Sequence, residues 1–411
     1  MKKTDDEVKK DDYLKEATLE EYDGFDVLYI HGTHYEMGFQ YGKLLKKKFF
    51  QNRRAWLDFC YKKSKIKHKD LLQTWKKISK FIPQEYIEEI KGRADALNLA
   101  FEELGILEAI SLVVMRKEAC CGIAAWGPAT SNGDLYHFRS QDLPLTDAID
   151  PVTSKPAYEN QLIVIRNPDS GFASVFPESP CSLGIEGGFN EKSICLGWME
   201  ALSKDQTSHG IPIGIRELMA LDQTSNLKEA IYTVNSNKTL GCNLIISNGK
   251  KPEAVAVEQS PNYDYISTWD DSLESRNKCW NIDHVVRRTN FFISPSLANT
   301  QKDPFYNQDS LLWPFLPLFR HYIAVSRGIE KNWGKLNQNI LDIIRSVYRG
   351  RTDVFYAVCN NIIKKRESFN QWISSPKTGD IWFSFAKDGK NAYESPVYHI
   401  NLFHFLNLIQ K

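Results

Sequence analysis

The rhythm of apolar and polar positions changes several times along this chain. Phe25 to Ile30 alternates like a strand, because successive side chains of an extended segment point to opposite faces. From Tyr35 to about Phe101 the spacing is helical, through long charged and aromatic segments. Pro83 interrupts that run and predicts a new helix near Gln84, since the first turn of a helix tolerates proline. Leu104 to Val114 reads as an apolar helix. From Cys120 to Glu258 strand signals dominate: Gly122 to Ala125, Asp134 to Arg139, Leu162 to Arg166, Ala173 to Phe176, Ile194 to Met199, Asn243 to Ser247 and Ala254 to Glu258. Ile211 to Leu221 and Leu227 to Val234 read as helices between them. A loop-rich aromatic region follows, then a helical region from Ser310 to about Leu341, then strands at Ile381 to Phe385 and Ser395 to Ile400. Residues 1 to 20 are charged and unpatterned and read as a disordered tail.

Strands in meander order, with helices between blocks of them, suit two antiparallel sheets packed face to face and covered by helices. The class is α+β. The strand count alone leaves open an α+β enzyme of another kind.

Composition narrows the partners. The chain has 411 residues, 42% apolar and 25% charged, enough to build a sizeable core. A net charge of +1 gives no electrostatic reason to expect nucleic acid. The basic stretches Lys43 to Lys48 and Lys62 to Lys69 read as solvated helix faces. Eight cysteines are scattered without Cys-x-x-Cys spacing, and the nine histidines show no His-x-x-x-His pair with a nearby Glu, so no metal and no cofactor is expected. Met1 to Lys10 lacks an apolar secretory core, and no apolar run approaches the roughly 20 residues of a membrane-spanning helix. A cytoplasmic protein with reduced thiols is the expectation.

The densest chemistry lies at Cys120-Cys121. Thiolates are strong acyl-transfer nucleophiles even at modest population. Small residues follow at Gly122, Ala124 and Ala125, leaving room beside a sulfur. Asn132-Gly133 reads as a tight turn, because both residues tolerate positive φ. The return strand would bring Arg139 and Asp142 back beside the cysteines. A buried, inert thiol and a plain strand-end ion pair are the alternatives from the residues alone.

The run Cys120-Cys121-Gly122-Ile123-Ala124-Ala125-Trp126-Gly127-Pro128-Ala129-Thr130, then Asn132-Gly133 and Arg139-Ser140-Gln141-Asp142, resembles the acyl-coenzyme A:6-aminopenicillanic acid acyltransferase family. That family belongs to the N-terminal nucleophile (Ntn) hydrolases, with choloylglycine hydrolase and penicillin V acylase. Three other stretches are similar to the family pattern: Gly32 to Gly42, Gly188 to Lys192, and Cys242 to Ile246 with Glu258 ending the next strand. The chain departs from the pattern at Ser140, where Asn is usual, and at Ala119, where Gly is more familiar. Glu200 stands where choloylglycine hydrolases carry an Asn, which argues against a bile-salt hydrolase proper.

The resemblance implies a four-layer αββα sandwich and cleavage of the Ala119–Cys120 bond. The thiol would attack the Ala119 carbonyl, and water would open the resulting thioester. Residues 21 to 119 would form a mainly helical small subunit behind the tail, and residues 120 to 411 the catalytic core, the two remaining associated. The liberated α-amine, with an ordinary pKa of about 7.7–8.0, would be general base for its own thiol. Cys120 would then form an acyl-enzyme with a small-molecule acyl amide, one with a hydrophobic acyl group, and pass it to water or an amine acceptor. The resemblance gives Asp142 the new ammonium, Arg139 the thiolate and Asn243 the oxyanion. Cys121 is the alternative nucleophile by a slip of one residue. Asn190, His34, His137 and Asn290 are given no chemistry. A lipid ester hydrolase on the same fold and a non-catalytic binding relative are the rival functions.

Overall fold

Two sheets face each other in the computed structural model of the chain, which describes residues 12–114, 119–275, 279–302, 317–350 and 366–409. Strands β1 (Thr18–Tyr22) and β2 (Phe25–Gly32) come first. Helices α1 (His34–Leu44), α2 (Lys46–Asp58), α3 (His68–Ile78), α4 (Gln84–Leu97), α5 (Phe101–Gly105) and α6 (Ile110–Val113) follow. Strands β3 (Ala119–Gly127) and β4 (Gly133–Asp142) form a hairpin. Strands β5 (Leu162–Pro168), β6 (Ser174–Glu178), β7 (Gly188–Asn190) and β8 (Ile194–Glu200) precede α7 (Ile213–Gln223) and α8 (Leu227–Asn235). Next come β9 (Cys242–Asn248), β10 (Glu253–Gln259), β11 (Asp264–Ser267), β12 (Val285–Arg288), α9 (Pro295–Ala298), α10 (Pro317–Glu330) and α11 (Ile340–Tyr348). Strands β13 (Asn370–Ser375), β14 (Asp380–Phe385) and β15 (Tyr398–Asn401) and helix α12 (Leu402–Ile409) end the order.

Nine strands form one sheet in the order β1-β2-β5-β6-β7-β8-β9-β10-β11, and six form the other in the order β12-β3-β4-β13-β14-β15. The β2–β5 pair is parallel, and the chain between them runs through helices α1 to α6 and the β3–β4 hairpin of the other sheet. Strand periodicity then sorts the core into layers. Leu28, Ile30, Val164 and Leu196 pack outward against Met37, Tyr41 and Ile90 of the helices. Val27, Tyr29, Ile163 and Ile165 point inward and meet Trp372, Ile381 and Phe383 of the second sheet. The outer face of that sheet, with Cys121, Ile123 and Phe138, packs against Val325, Ile344 and Val347 of α10 and α11. This is the four-layer αββα arrangement.

Helix α1 begins at a reciprocal cap: Glu36 N donates to Thr33 Oγ1 at 3.3 Å, and Thr33 N donates to Glu36 Oε2 at 2.8 Å. It crosses α4 at backbone contact. A Cβ on Gly38 would lie 2.1 Å from the Glu89 carbonyl oxygen, and one on Gly92 would lie 2.1 Å from that of Tyr35. Below this crossing, Arg166 of β5 donates to Glu89 at 2.7 Å and to Asp222 of α7 at 3.0 Å. His34 meets the same Glu89 at 2.9 Å, so its ring is structural. Despite burial, Arg166 holds Glu89 down at about 2.

The structure and the sequence reading differ in places. Order begins earlier than residue 20: Thr18 already pairs with Tyr29 in the β1–β2 ladder. Residues 1–11 lie outside the described residues, as do the bridge at 115–118, residues 303–316 with the start of the helical region at Ser310, and Cys359. The apolar stretch Leu104 to Val114 is broken, with turns between α5 and α6. Strands β1, β7, β11, β12 and β13 were not anticipated from the pattern.

Candidate active site

The β3–β4 hairpin turns at Asn132-Gly133, where Gly133 has φ +78° and Asn132 Oδ1 accepts from Asp134 N at 3.1 Å. Its register pairs Ala119 with Asp142, Cys120 with Gln141, Cys121 with Ser140 and Gly122 with Arg139. Strand alternation therefore divides the two cysteines. Cys120 faces the gap between the sheets, in a cluster with Met199 and Ile245. Cys121 faces the helices, with its sulfur 3.5 Å from the Tyr348 hydroxyl. Burial pushes the Cys121 thiol well up, and the nearby Asp142 charge adds to that. Its neutral form is thus favoured, whereas a nucleophile needs the thiolate.

Arg139 lies on the same face as Cys120. Its aliphatic stem crosses Gly197 of β8, where a Cβ would come within 3.2 Å of Arg139 Cδ. Its guanidinium donates to the Cys120 sulfur and to the Ser140 carbonyl. Glu186 is 3.7 Å away. Burial opposes the Arg139 charge, but the sulfur and Glu186 outweigh it, and its pKa is raised. A fixed cation therefore faces the Cys120 sulfur in a site that excludes water.

Asp142 is on the opposite face, across from Ala119. Ser140 Oγ donates to its Oδ1 at 2.6 Å, and the Tyr348 hydroxyl donates to its Oδ2 at 2.6 Å. Burial raises its pKa, and Arg366 at 3.5 Å works against the rise. Cys120 and Arg139 thus lie on one side of the strand that carries the Ala119–Cys120 bond, and Asp142 lies on the other.

Asn243 of β9 is fully buried and spends both amide hydrogens on backbone: 2.7 Å to the Thr289 carbonyl and 2.8 Å to that of Phe291. Donating to an oxyanion would require one of these bonds to be released. The residue between those carbonyls is Asn290. Its Oδ1 accepts the backbone N–H of Cys120 at 2.5 Å, and its Nδ2 donates to the Glu200 carbonyl at 2.8 Å. Register explains the reach, because β12 pairs Arg288 with Gly122 and two more residues along each strand bring Asn290 to Cys120. Glu258 secures the far side of this loop by accepting from Ile293 N and Ser294 N at 2.9 Å, while Arg288 donates to it at 2.8 Å. Sequence reasoning gave Asn290 no role. The one signal available was the Thr289-Asn290 pair, and nothing local connects it to a residue 170 positions earlier.

The other candidates are structural. Asn190 ties its turn to the end of α7 by donating to Leu221 and Thr224 at 2.8 and 2.9 Å. His137 stacks on Trp372 and faces Ser247 Oγ at 2.8 Å; burial lowers its pKa to about 3, so the ring is neutral. An open cavity adjoins strand β3; Gln141, the ladder partner of Cys120, lines it.

Facing sheets between helix layers, with a cysteine one residue into a strand of the six-stranded sheet, are the arrangement that the resemblance to Ntn hydrolases implies. The chain is similar in sequence to curated amidases. It is 24% identical to the N-acylethanolamine-hydrolyzing acid amidase of Rattus norvegicus over 216 residues, covering 51% of this chain and 57% of the relative. The Mus musculus protein of the same name is 24% identical over 184 residues, covering 44% and 48%. An uncharacterized protein of Archaeoglobus fulgidus is 23% identical over 352 residues, covering 74% and 57%. The chain spans about half the length of the curated relatives it matches. No family model matches. Among solved structures, the Caenorhabditis elegans N-acylethanolamine-hydrolyzing acid amidase ortholog aligns with a TM-score of 0.42 at 12% identity, covering 68% of this chain and 100% of that one. Penicillin V acylase from Agrobacterium tumefaciens aligns with a TM-score of 0.43 at 13% identity, covering 69% and 86%. Among the described residues, no helix is long and apolar enough to cross a membrane.

Proposed function

We propose that this chain is a cysteine amidohydrolase that matures by cutting its own Ala119–Cys120 bond and then hydrolyses the amide of a small acyl compound. The bond between Cys120 N–H and Asn290 Oδ1 carries the reading. A backbone nitrogen in a strand normally answers to a neighbouring strand. This one answers to a side chain on a loop braced by Asn243 and Glu258. After cleavage the same nitrogen is an α-amine, already held and already beside its own sulfur.

In the first step the Cys120 sulfur attacks the Ala119 carbonyl carbon. The C–N bond breaks, a C–S bond forms, and the departing nitrogen takes the thiol proton. Water then opens the thioester, returning the thiol and leaving a carboxylate on Ala119. In turnover the α-amine removes the thiol proton, and the sulfur takes the substrate acyl group while the leaving amine is protonated. Water activated by the same amine releases the acid. Arg139 steadies the thiolate, since an opposite charge in contact favours the ionised form. Asp142 and Asn290 flank the new ammonium, and Asn243 keeps Asn290 in place. The neighbourhood of a carboxylate suits an ammonium better than a neutral amide nitrogen, so Asp142 gains a counter-ion when the bond is cut.

Intact-mass measurement on the purified chain tests this. Two polypeptides separating before Cys120 are expected, and Cys120→Ala should remain whole. A wild-type chain that hydrolyses acyl amides while uncut would overturn the mechanism.

A further inference from the structure

Two chains of hydrogen-bond donors end on the Asp142 carboxyl. Its Oδ1 accepts from Ser140 Oγ at 2.6 Å, and Ser140 Oγ accepts in turn from Gln371 Nε2 of β13 at 3.2 Å. Its Oδ2 accepts from the Tyr348 hydroxyl at 2.6 Å, and that hydroxyl lies 3.5 Å from the Cys121 sulfur. A phenol has one hydrogen, and here it points at Asp142. The Cys121 thiol therefore supplies its own hydrogen to the Tyr348 oxygen. Burial, with the Asp142 charge behind it, keeps that hydrogen on the sulfur. Gln371, Ser140, Cys121, Tyr348 and Asp142 are all buried.

This arrangement selects one form of the carboxyl. A protonated Asp142 has a hydrogen to donate, yet each of its oxygens faces a donor; a carboxylate only accepts and satisfies both. Burial disfavours the charge, and Arg366, Ser140, Tyr348 and Arg139 work against burial. Facing Asp142 are Arg139 and Ser140 on its own strand, Cys121 on β3, Tyr348 on α11, Gln371 on β13, and Arg366 ahead of that strand at 3.5 Å. The Tyr348 ring is fixed by its own neighbours. His321 of α10 meets it edge-on at 5.4 Å, Tyr393 meets it edge-on at 5.6 Å, and the Arg366 guanidinium lies 5.9 Å over it. Burial and the Arg366 charge hold His321 neutral.

We propose that Tyr348 is a positioning residue for Asp142: its hydroxyl, oriented by Cys121, holds the carboxylate that receives the amine freed at Cys120. Asp142 stands across from Ala119 in the ladder, beside the bond to be cut. The second cysteine thus acts as a donor two steps from that amine and not as a nucleophile. The role of the amine rests on the amidohydrolase reading; the hold of Tyr348 on Asp142 is testable apart from it.

Tyr348→Phe removes the hydroxyl and keeps the ring. Losing a donor to the charged form raises the pKa of a carboxyl. The acidic limb of kcat/KM should therefore move up by about one pH unit, with the plateau kept within a few-fold. Cys121→Ser, which keeps a donor to the Tyr348 oxygen, should leave the limb where it is. Ser140→Ala, which breaks the other chain, should move the limb in the same direction and serves if Tyr348→Phe folds poorly. A purely structural tyrosine would lower activity equally at every pH, and that result overturns the proposal. Carbon-13 NMR of aspartate-labelled full chain, with the Asp142 signal identified by its loss in Asp142→Asn, reads the same group without turnover. Its titration midpoint should rise by about one unit in Tyr348→Phe. A moved midpoint in a chain that stays uncut and inert sinks the amidohydrolase reading and leaves the hold on Asp142 standing. An unmoved midpoint overturns the proposal, whether or not amides are hydrolysed.

Discussion

The backbone nitrogen of Cys120 donates to the side-chain oxygen of Asn290 at 2.5 Å, across 170 positions of chain. Substituting Asn290 with alanine removes the acceptor but leaves the Asn243 and Glu258 braces. Losing a hydrogen bond aimed at a reacting group costs about 2–4 kcal/mol in comparable sites. Self-cleavage of Asn290→Ala should slow by 30-fold or more, read as the uncut fraction over time on a denaturing gel. Cleavage at the wild-type rate would remove this residue from the mechanism.

The two cysteines should separate cleanly. Iodoacetamide labelling of the mature protein, mapped by mass spectrometry, should find Cys120 modified before Cys121. Cys121→Ala should keep activity within a few-fold, because its thiol is held neutral against the helices. Cys120→Ala should abolish both cleavage and turnover.

Gly197 leaves the space through which Arg139 reaches the sulfur. In Gly197→Val the added carbons meet the Arg139 stem, where even a Cβ is already within 3.2 Å. The guanidinium is then displaced from the thiolate. Turnover should fall by one to two orders of magnitude, an amount corresponding to about 1.4–2.8 kcal/mol. The same variant should remain folded by circular dichroism.

The buried ion cluster makes a different prediction. Arg166→Leu leaves Glu89 and Asp222 without their shared cation, a change worth about 3–5 kcal/mol in buried pairs that lose one partner. Its urea midpoint should drop accordingly, well beyond that of an exposed-arginine control.

Two carboxyls give stability opposite dependences on pH. Glu89 lies at about 2, below its ordinary 4.5, so its contribution is present above pH 4.5 and is lost as pH falls toward 2. Glu178 is pushed up to about 7 by burial, against the pull of Arg93 and the Tyr41 hydrogen bond and with help from Glu89 and Glu108. Its protonated form is favoured on folding, so its contribution is present below pH 4.5 and is lost as pH rises through 7. Thermal melts between pH 4.5 and 8 should show the wild type losing stability that Glu178→Gln retains. Parallel pH curves for the two proteins would count against this assignment.

Much of the first sheet was legible because its strands alternate or run apolar, as at Ile194–Glu200 and Glu253–Gln259. The β3–β4 hairpin was legible through its Asn132-Gly133 turn. Strand β13, Asn370–Ser375, was not, since polar Asn370, Gln371, Ser374 and Ser375 are buried on both sides and erase the alternation. Strand β12 carries two adjacent charges, Arg287 and Arg288, which give no apolar alternation; Glu258 and Glu274 beside Arg288 make its burial possible. At the site, Cys120 and Arg139 face one another as a hairpin register allows. Which way Asn243 spends its hydrogens depends on the β12 loop, a long-range contact with no local signature.

The six-stranded sheet has a consequence for synthesis. Its central hairpin emerges from the ribosome early, but both flanking strands, β12 and β13, and the Asn290 loop arrive more than 140 residues later. A nascent chain halted before Asn290 carries the thiol and the bond it would cut, yet lacks the group that holds the nitrogen. If the Ala119–Cys120 bond is cut as proposed, translation order acts as its timer, and chains truncated at residue 289 should stay in one piece.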